Sequence, residues 1–417
     1  MSSPSVFDKI SSPQVRESLQ KAAAAARRIV AGTASVADHA AMTHSWIFTG
    51  PPGSGRTIAA RAFAAALMCE NPEKVGCGTC QDCRTVLGGT HADFLHMMPS
   101  GKTYLVDDVK RVIEQAYALP TTAPWRVILF EEADRFNDPS ANALLKSVEE
   151  PPERTVFLMS APSTAPEDFK VTLRSRCRHV YVPSPSADFI ADLLLAEQQQ
   201  KPQPGQDPLT EDQALWAAAA ASGHIGRARA LARNEESRQR RMVAVKLPEV
   251  VYEPARSYLY SSELFASAAE EAERQWQPVE ERELAELEQS LGMGATGRGV
   301  QASLRGTKGR IDELQKDQKR RRRRAEQDFL DLALLDVLSM YRDALVVATA
   351  AQARTSLNNP DRGRAAAELA RRNTPEQLLQ CIDAVTQTRL SLGGNVRPEV
   401  ALDGMMGQLQ QICRVGQ

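Results

Sequence analysis

Short apolar runs punctuate the first half of the chain. Trp46-Ile47-Phe48, Arg126 to Phe130, Thr155 to Ser160 and His179 to Val182 have the length of buried strands. Between them lie stretches of helical period. Val15 to Arg28 and Ile58 to Leu67 read as helices, the second rich in alanine. Asp107 to Leu119 is amphipathic, with Val106, Val109, Val112, Ile113 and Tyr117 on one stripe. Asn142 to Glu150 is a helix stopped by Pro151-Pro152. Strands alternating with helices predict a mostly parallel, doubly wound sheet. Pro183 to Pro185 marks a boundary, after which the pattern changes. Asp188 to about Arg241 reads as a small helical unit with loop residues around Pro202 to Pro208. From about Leu247 the rest is also helical, with stripes such as Leu330, Leu334, Leu335, Leu338 and Leu378, Ile382, Val385. Such stripes form a core or line a subunit interface. Met293 to Arg310, rich in Gly, Arg and Ser, predicts a mobile loop.

Composition narrows the class without naming it. A chain of 417 residues has room for two to four domains. Hydrophobic content of 42% and charged content of 25% suit globular domains. A net charge of -1 excludes a uniformly basic nucleic-acid coat, so any DNA contact is local or shared. The longest apolar stretch, Phe329 to Ala350, carries Asp331, Asp336, Arg342 and Asp343 and is not a membrane span. The first residues, MSSPSVFDKISSPQ, show no export signal, so a cytoplasmic setting is expected. There the seven cysteines point to thiol or metal chemistry rather than disulfides.

Four segments carry candidate chemistry or contacts. Gly50 to Thr57, GPPGSGRT, lies between a strand and a helix, the context a phosphate-binding loop requires. Gly50, Gly53, Gly55 and Thr57 fit the spacing, but Arg56 stands where lysine is usual. A planar guanidinium does not replace a compact ammonium at that point. Cys69, Cys77, Cys80 and Cys83, spaced C-x7-C-x2-C-x2-C, suit tetrahedral zinc in a closed structural site; free buried thiols are the alternative. The strand Arg126 to Phe130 ends in Glu131 and Glu132, where a nucleotide fold holds Mg²⁺ and orients water. The usual first residue there is Asp, and the extra methylene of Glu131 moves the carboxylate. Lys319 to Arg324, six basic residues, is either a solvated helix face or a contact for DNA or a partner.

Taken together, His44, GPPGSGRT, the four cysteines, ILFEEAD, NALLKSVEEPP and TLRSRC resemble the bacterial clamp-loader AAA+ ATPases. The resemblance covers about residues 5 to 240 well, and the C-terminal helices weakly through Asn395-Val396 to Leu402. It implies a RecA-like α/β domain over 1–184 with a zinc insert at 69–83. A helical lid over 185–243 and an all-α collar over 244–417 follow, with a flexible insert at 290–325. It places Gly50, Gly53, Gly55, Arg56 and Thr57 at the first nucleotide motif, Glu131 and Glu132 at the second, and Ser160 near a sensor. It makes Arg176 an arginine finger acting in trans on a neighbour's ATP. In the run Gly223 to Ala228, Gly226 takes the place of a second sensor arginine, and a one-residue slip offers Arg227 instead.

Altered cis groups beside an intact trans group suggest a non-hydrolysing ring member with structural Zn²⁺ and a degenerate ATP/Mg²⁺ site. The implied partners are gamma/tau and delta clamp-loader subunits, a sliding clamp, and primer-template DNA through the complex. The implied setting is the cytoplasmic nucleoid. Two alternatives stand beside this one: an ATP-hydrolysing motor subunit, and a zinc-bearing DNA-binding protein using the basic run.

Overall fold

The structure, a computed structural model, describes residues 5–414 apart from 100, 102, 167, 201–206, 292–299, 354 and 394–395, and, for side chains, also apart from 200 and 300–308. The chain divides into two compact units, one of residues 1–218 with 223–228, the other of 219–222 with 229–417.

In the first unit the elements run α1 (Pro13–Val30), α2 (Val36–Ala41), β1 (Ser45–Thr49), α3 (Arg56–Met68), α4 (Gln81–Gly88) and β2 (Phe94–Met97). Then come α5 (Val106–Ala116), β3 (Arg126–Phe130), α6 (Asp138–Glu149), β4 (Thr155–Ala161), α7 (Val171–Arg174) and β5 (Arg178–Tyr181). The helices α8 (Ala187–Gln200), α9 (Glu211–Ala220) and α10 (Ile225–Arg233) follow. The five strands form one sheet in the order β2-β3-β4-β1-β5, and every pairing is parallel.

Successive strand residues point to opposite faces, and here both faces are covered. Trp46, Phe48, Val127, Leu129, Val156 and Leu158 join the core under α1 and α3. Ile47, Ile128, Phe130, Phe157 and Met159 join a second core with residues of α5 and α6. This explains why the strands read as continuous apolar runs. Helix α6 starts at Asp138, earlier than the apolar pattern predicts, because Asn137 caps it by accepting the Ser140 N–H at 2.9 Å.

The second unit is helical: α11 (Glu235–Val250), α12 (Pro254–Ser290), α13 (Val300–Ala348), α14 (Gly363–Arg372), α15 (Pro375–Leu392) and α16 (Pro398–Ile412). Leu330, Leu334, Leu378 and Val385 from the expected stripes lie in its core. The stretch expected to be mobile differs. Residues 300–325 of the expected insert at 290–325 belong to α13. Straight-chain Lys, Arg, Glu and Gln after Arg310 favour helix, and their charges are met by α12. Residues 292–299 of the expected loop, 202–206 of the loop near Pro202, and Asn395 lie outside the described residues.

Candidate functional site

The phosphate loop joins β1 to α3, and its glycines are there for close approach. A Cβ at Gly50, φ +152°, would lie 2.0 Å from the Val182 carbonyl oxygen. At Gly53, φ +76°, it would lie 2.0 Å from Cγ of His224. The His224 imidazole therefore rests on the loop. The Ile225 N–H donates to the Gly53 carbonyl at 3.2 Å, and the Arg227 N–H donates to His224 Nδ1 at 3.1 Å. The turn before α10 thus covers the middle of the loop. Gly226 adds no side chain there, and Arg227 is buried.

Arg56 occupies the first turn of α3 with Thr57. Its Nη1 donates to the carbonyl oxygen of Gly50 at 2.8 Å, folding the guanidinium back onto its own loop. Burial pushes its pKa down, opposed by the charges of Asp134, Glu132, Asp168 and Glu131. Burial likewise pushes the Asp134 carboxyl up. The loop cation thus faces several carboxylates.

Glu131 is already engaged. His96, on the neighbouring strand β2, lies with Nε2 2.7 Å from Glu131 Oε1. Arg61 of α3 approaches His96 Nδ1 at 3.0 Å. A guanidinium only donates, so Nδ1 accepts, and the Nε2–H is left to donate to Glu131. Glu132 is in the left-handed region at φ +52°; its N–H donates to Ser160 Oγ at 3.3 Å and its carboxylate pairs with Arg135 at 2.6 Å. The structure brings Gly50, Gly53, Gly55, Arg56, Thr57, Glu131, Glu132 and Ser160 to one end of the sheet. Sequence reasoning missed His96, which bonds Glu131, and His224, which packs on Gly53.

The four cysteines converge. The Sγ atoms of Cys69, Cys77, Cys80 and Cys83 all lie within 4.8 Å of one another. Backbone N–H groups point at the sulfurs: Cys77 to Cys69 at 3.5 Å, Cys80 to Cys77 at 3.3 Å and Cys83 to Cys80 at 3.4 Å. Such bonds favour thiolates, the form that binds metal. The Cys69 thiol is held down to about 4, chiefly by a hydrogen bond from Cys83. Four soft donors, mostly buried and aimed at one point, could bind zinc.

Arg176 sits apart from these groups, exposed after α7. Its Nη1 donates to the Thr172 carbonyl at 2.7 Å and to Ser175 Oγ at 2.9 Å, and its Nη2 pairs with Glu149. The basic run lies in the second unit. Arg320 pairs with Asp317, Arg321 with Glu283, Arg322 with Glu280 and Arg324 with Asp328. Four of its six charges are therefore met inside the chain.

Comparison with known proteins bears on the first unit. Residues 26–186 match the family model for the DNA polymerase III delta subunit. The chain is 36% identical to DNA polymerase III subunit delta' of Pseudomonas aeruginosa over 147 residues, 34% of this chain and 44% of that one. It is 31% identical to DNA polymerase III subunit tau of Bacillus subtilis over 137 residues, 33% of this chain and 24% of that one. A solved DNA polymerase III gamma subunit-related protein of Thermotoga maritima aligns at 15% identity with a TM-score of 0.38, covering 89% of this chain and 95% of its own. The chain spans less than half the length of the curated relatives it matches. Over the matched residues it is similar to the delta' and tau subunits of DNA polymerase III.

Proposed function

We propose that this chain is the non-hydrolysing, delta-prime-type subunit of a DNA polymerase III clamp loader. It would act as a stator that completes a neighbouring subunit's ATP site. The observation that carries the reading is the bond from Arg56 to the Gly50 carbonyl, which engages the cation of the loop with the loop's own backbone. The His96–Glu131 bond supports it, because it engages one oxygen of the carboxylate that would hold Mg²⁺. Arg176, by contrast, is exposed where a guanidinium can reach another molecule.

In this reading residues 185–243 form the lid, and 244–417 form the collar that packs with gamma/tau and delta subunits. The sliding clamp and primer-template DNA are met through the complex, on the cytoplasmic nucleoid. Cys69, Cys77, Cys80 and Cys83 hold a structural zinc that staples the end of α3. Polymerase chemistry belongs to another subunit.

The test is equilibrium binding of a fluorescent ATP analogue to the isolated chain with Mg²⁺, followed by a turnover assay. No binding, or binding without turnover, is expected. Turnover at rates typical of motor subunits would overturn the reading. A second reading, a gamma/tau-type motor, is favoured by the comparable identity to tau relatives. It requires turnover by the isolated chain that Thr57→Ala abolishes. The DNA-binding reading loses its support, since most of the basic run is paired within the chain.

A further inference from the structure

We propose that Glu149 is the positioning residue for Arg176, holding its guanidinium in the orientation in which it is presented outward. This rests on the reading that Arg176 acts on a neighbouring subunit's nucleotide.

Glu149 is the last residue of α6, where the helix dipole disfavours a carboxylate. Pro151 and Pro152 prevent the helix from continuing, so Glu149 stays at its C-terminal end. A negative charge there needs a cation, and Arg176 supplies it. The segment bearing Arg176 is laid along α6 at three points. Lys170 Nζ pairs with Asp138 Oδ1 at 2.7 Å at the start of α6. Leu173 is fully buried in the same core as Leu144 and Val148. Arg176 closes the series at the far end of the helix.

The guanidinium thus has three oxygen partners: the Thr172 carbonyl, Ser175 Oγ and the Glu149 carboxylate. Both side chains of the ion pair stay substantially exposed, at 37% and 45%. An exposed pair of this kind adds little to stability. Its effect is orientation: a long side chain already held in one geometry loses less freedom when it docks. Removing the restraint should lower turnover of the neighbouring site about three- to tenfold.

The experiment uses the full chain in a complex reconstituted with the gamma/tau- and delta-type subunits of the same genome. ATPase is measured with DNA and clamp present, for wild type, Glu149→Gln, Arg176→Ala and the double variant. Glu149→Gln is expected to lower kcat about three- to tenfold with KM for ATP and the melting temperature unchanged. On the Arg176→Ala background it should have no further effect, which a merely structural role would not produce. A rise in kcat in Glu149→Gln would mean that Glu149 masks Arg176, and would overturn the inference. So would an additive loss in the double variant, or an unchanged kcat beside a damaged Arg176→Ala. If Arg176→Ala itself leaves turnover unchanged, the reading of Arg176 falls and the inference falls with it.

Discussion

Arg56 sits in the first turn of α3 with its guanidinium turned back on the Gly50 carbonyl, whereas Arg176 follows α7 with its guanidinium exposed on Glu149 and two local oxygens. One unit carries both residues, and the side chain is the same. Around Arg56 the structure supplies a cover, since the His224 imidazole rests on Gly53 and the Ile225 N–H is bonded to its carbonyl. Around Arg176 it supplies support from one side and leaves the other open. Arginine suits both tasks, because its planar fork bonds carbonyls and anions alike. What separates the two is burial: Arg56 is half-buried in its own loop, whereas Arg176 stays exposed beside its partners.

The largest effect is expected from treating the two alike. Arg176→Ala should lower ATPase of the assembled complex by a factor on the order of 10³ or more, the scale of an arginine finger. Arg56→Ala should leave that rate within about twofold of wild type. If both substitutions were equally damaging, the contrast between a closed cis site and an open trans residue would not stand.

A smaller effect is expected at the other end of α3, which runs from Arg56 to Met68, is followed by Cys69, and so ties the closed loop to the cysteine cluster. Cys83 is buried there, and its thiol is pushed up by hydrogen bonding to Cys69 and by burial. Cys83→Ser should remove bound zinc, read by metal analysis of protein purified without chelator, and lower the melting temperature by several degrees. Wild-type protein free of zinc would sink the metal assignment.

How much of this was legible in the sequence follows from how local each signal is. The strands around Ile47, Ile128 and Phe157 were readable because burial on both faces writes an unbroken apolar run. The cysteines were readable because metal spacing is local along the chain. The partners of the site were not. His96 and Glu131 are 35 positions apart and meet only because β2 and β3 pair in register. A single histidine on a strand gives no warning of that. His224 lay inside a run noticed for Gly226, but nothing in the run says which residue touches Gly53. The basic run read as an open question because two of its acids, Glu280 and Glu283, belong to another helix.

The smallest expected effect concerns a third arginine and completes the comparison. Arg321 makes two hydrogen bonds to Glu283, at 2.9 and 2.6 Å, and its guanidinium lies 4.4 Å from the Trp276 ring centroid. Like Arg56, it bonds to an oxygen of its own chain, here across two helices. The Arg321 bond holds the Glu283 carboxyl below its usual range. A lowered carboxylate adds stability that is complete above its unfolded pKa and is lost as pH falls through the folded one. Arg321→Ala should therefore cost about 1 kcal/mol near neutral pH. The difference in melting temperature from wild type should narrow as the solution is made acidic, and affinity for primed DNA should stay unchanged. A loss of DNA affinity with unaltered melting would place Arg321 with Arg176 instead, as a charge that the fold holds out for another molecule.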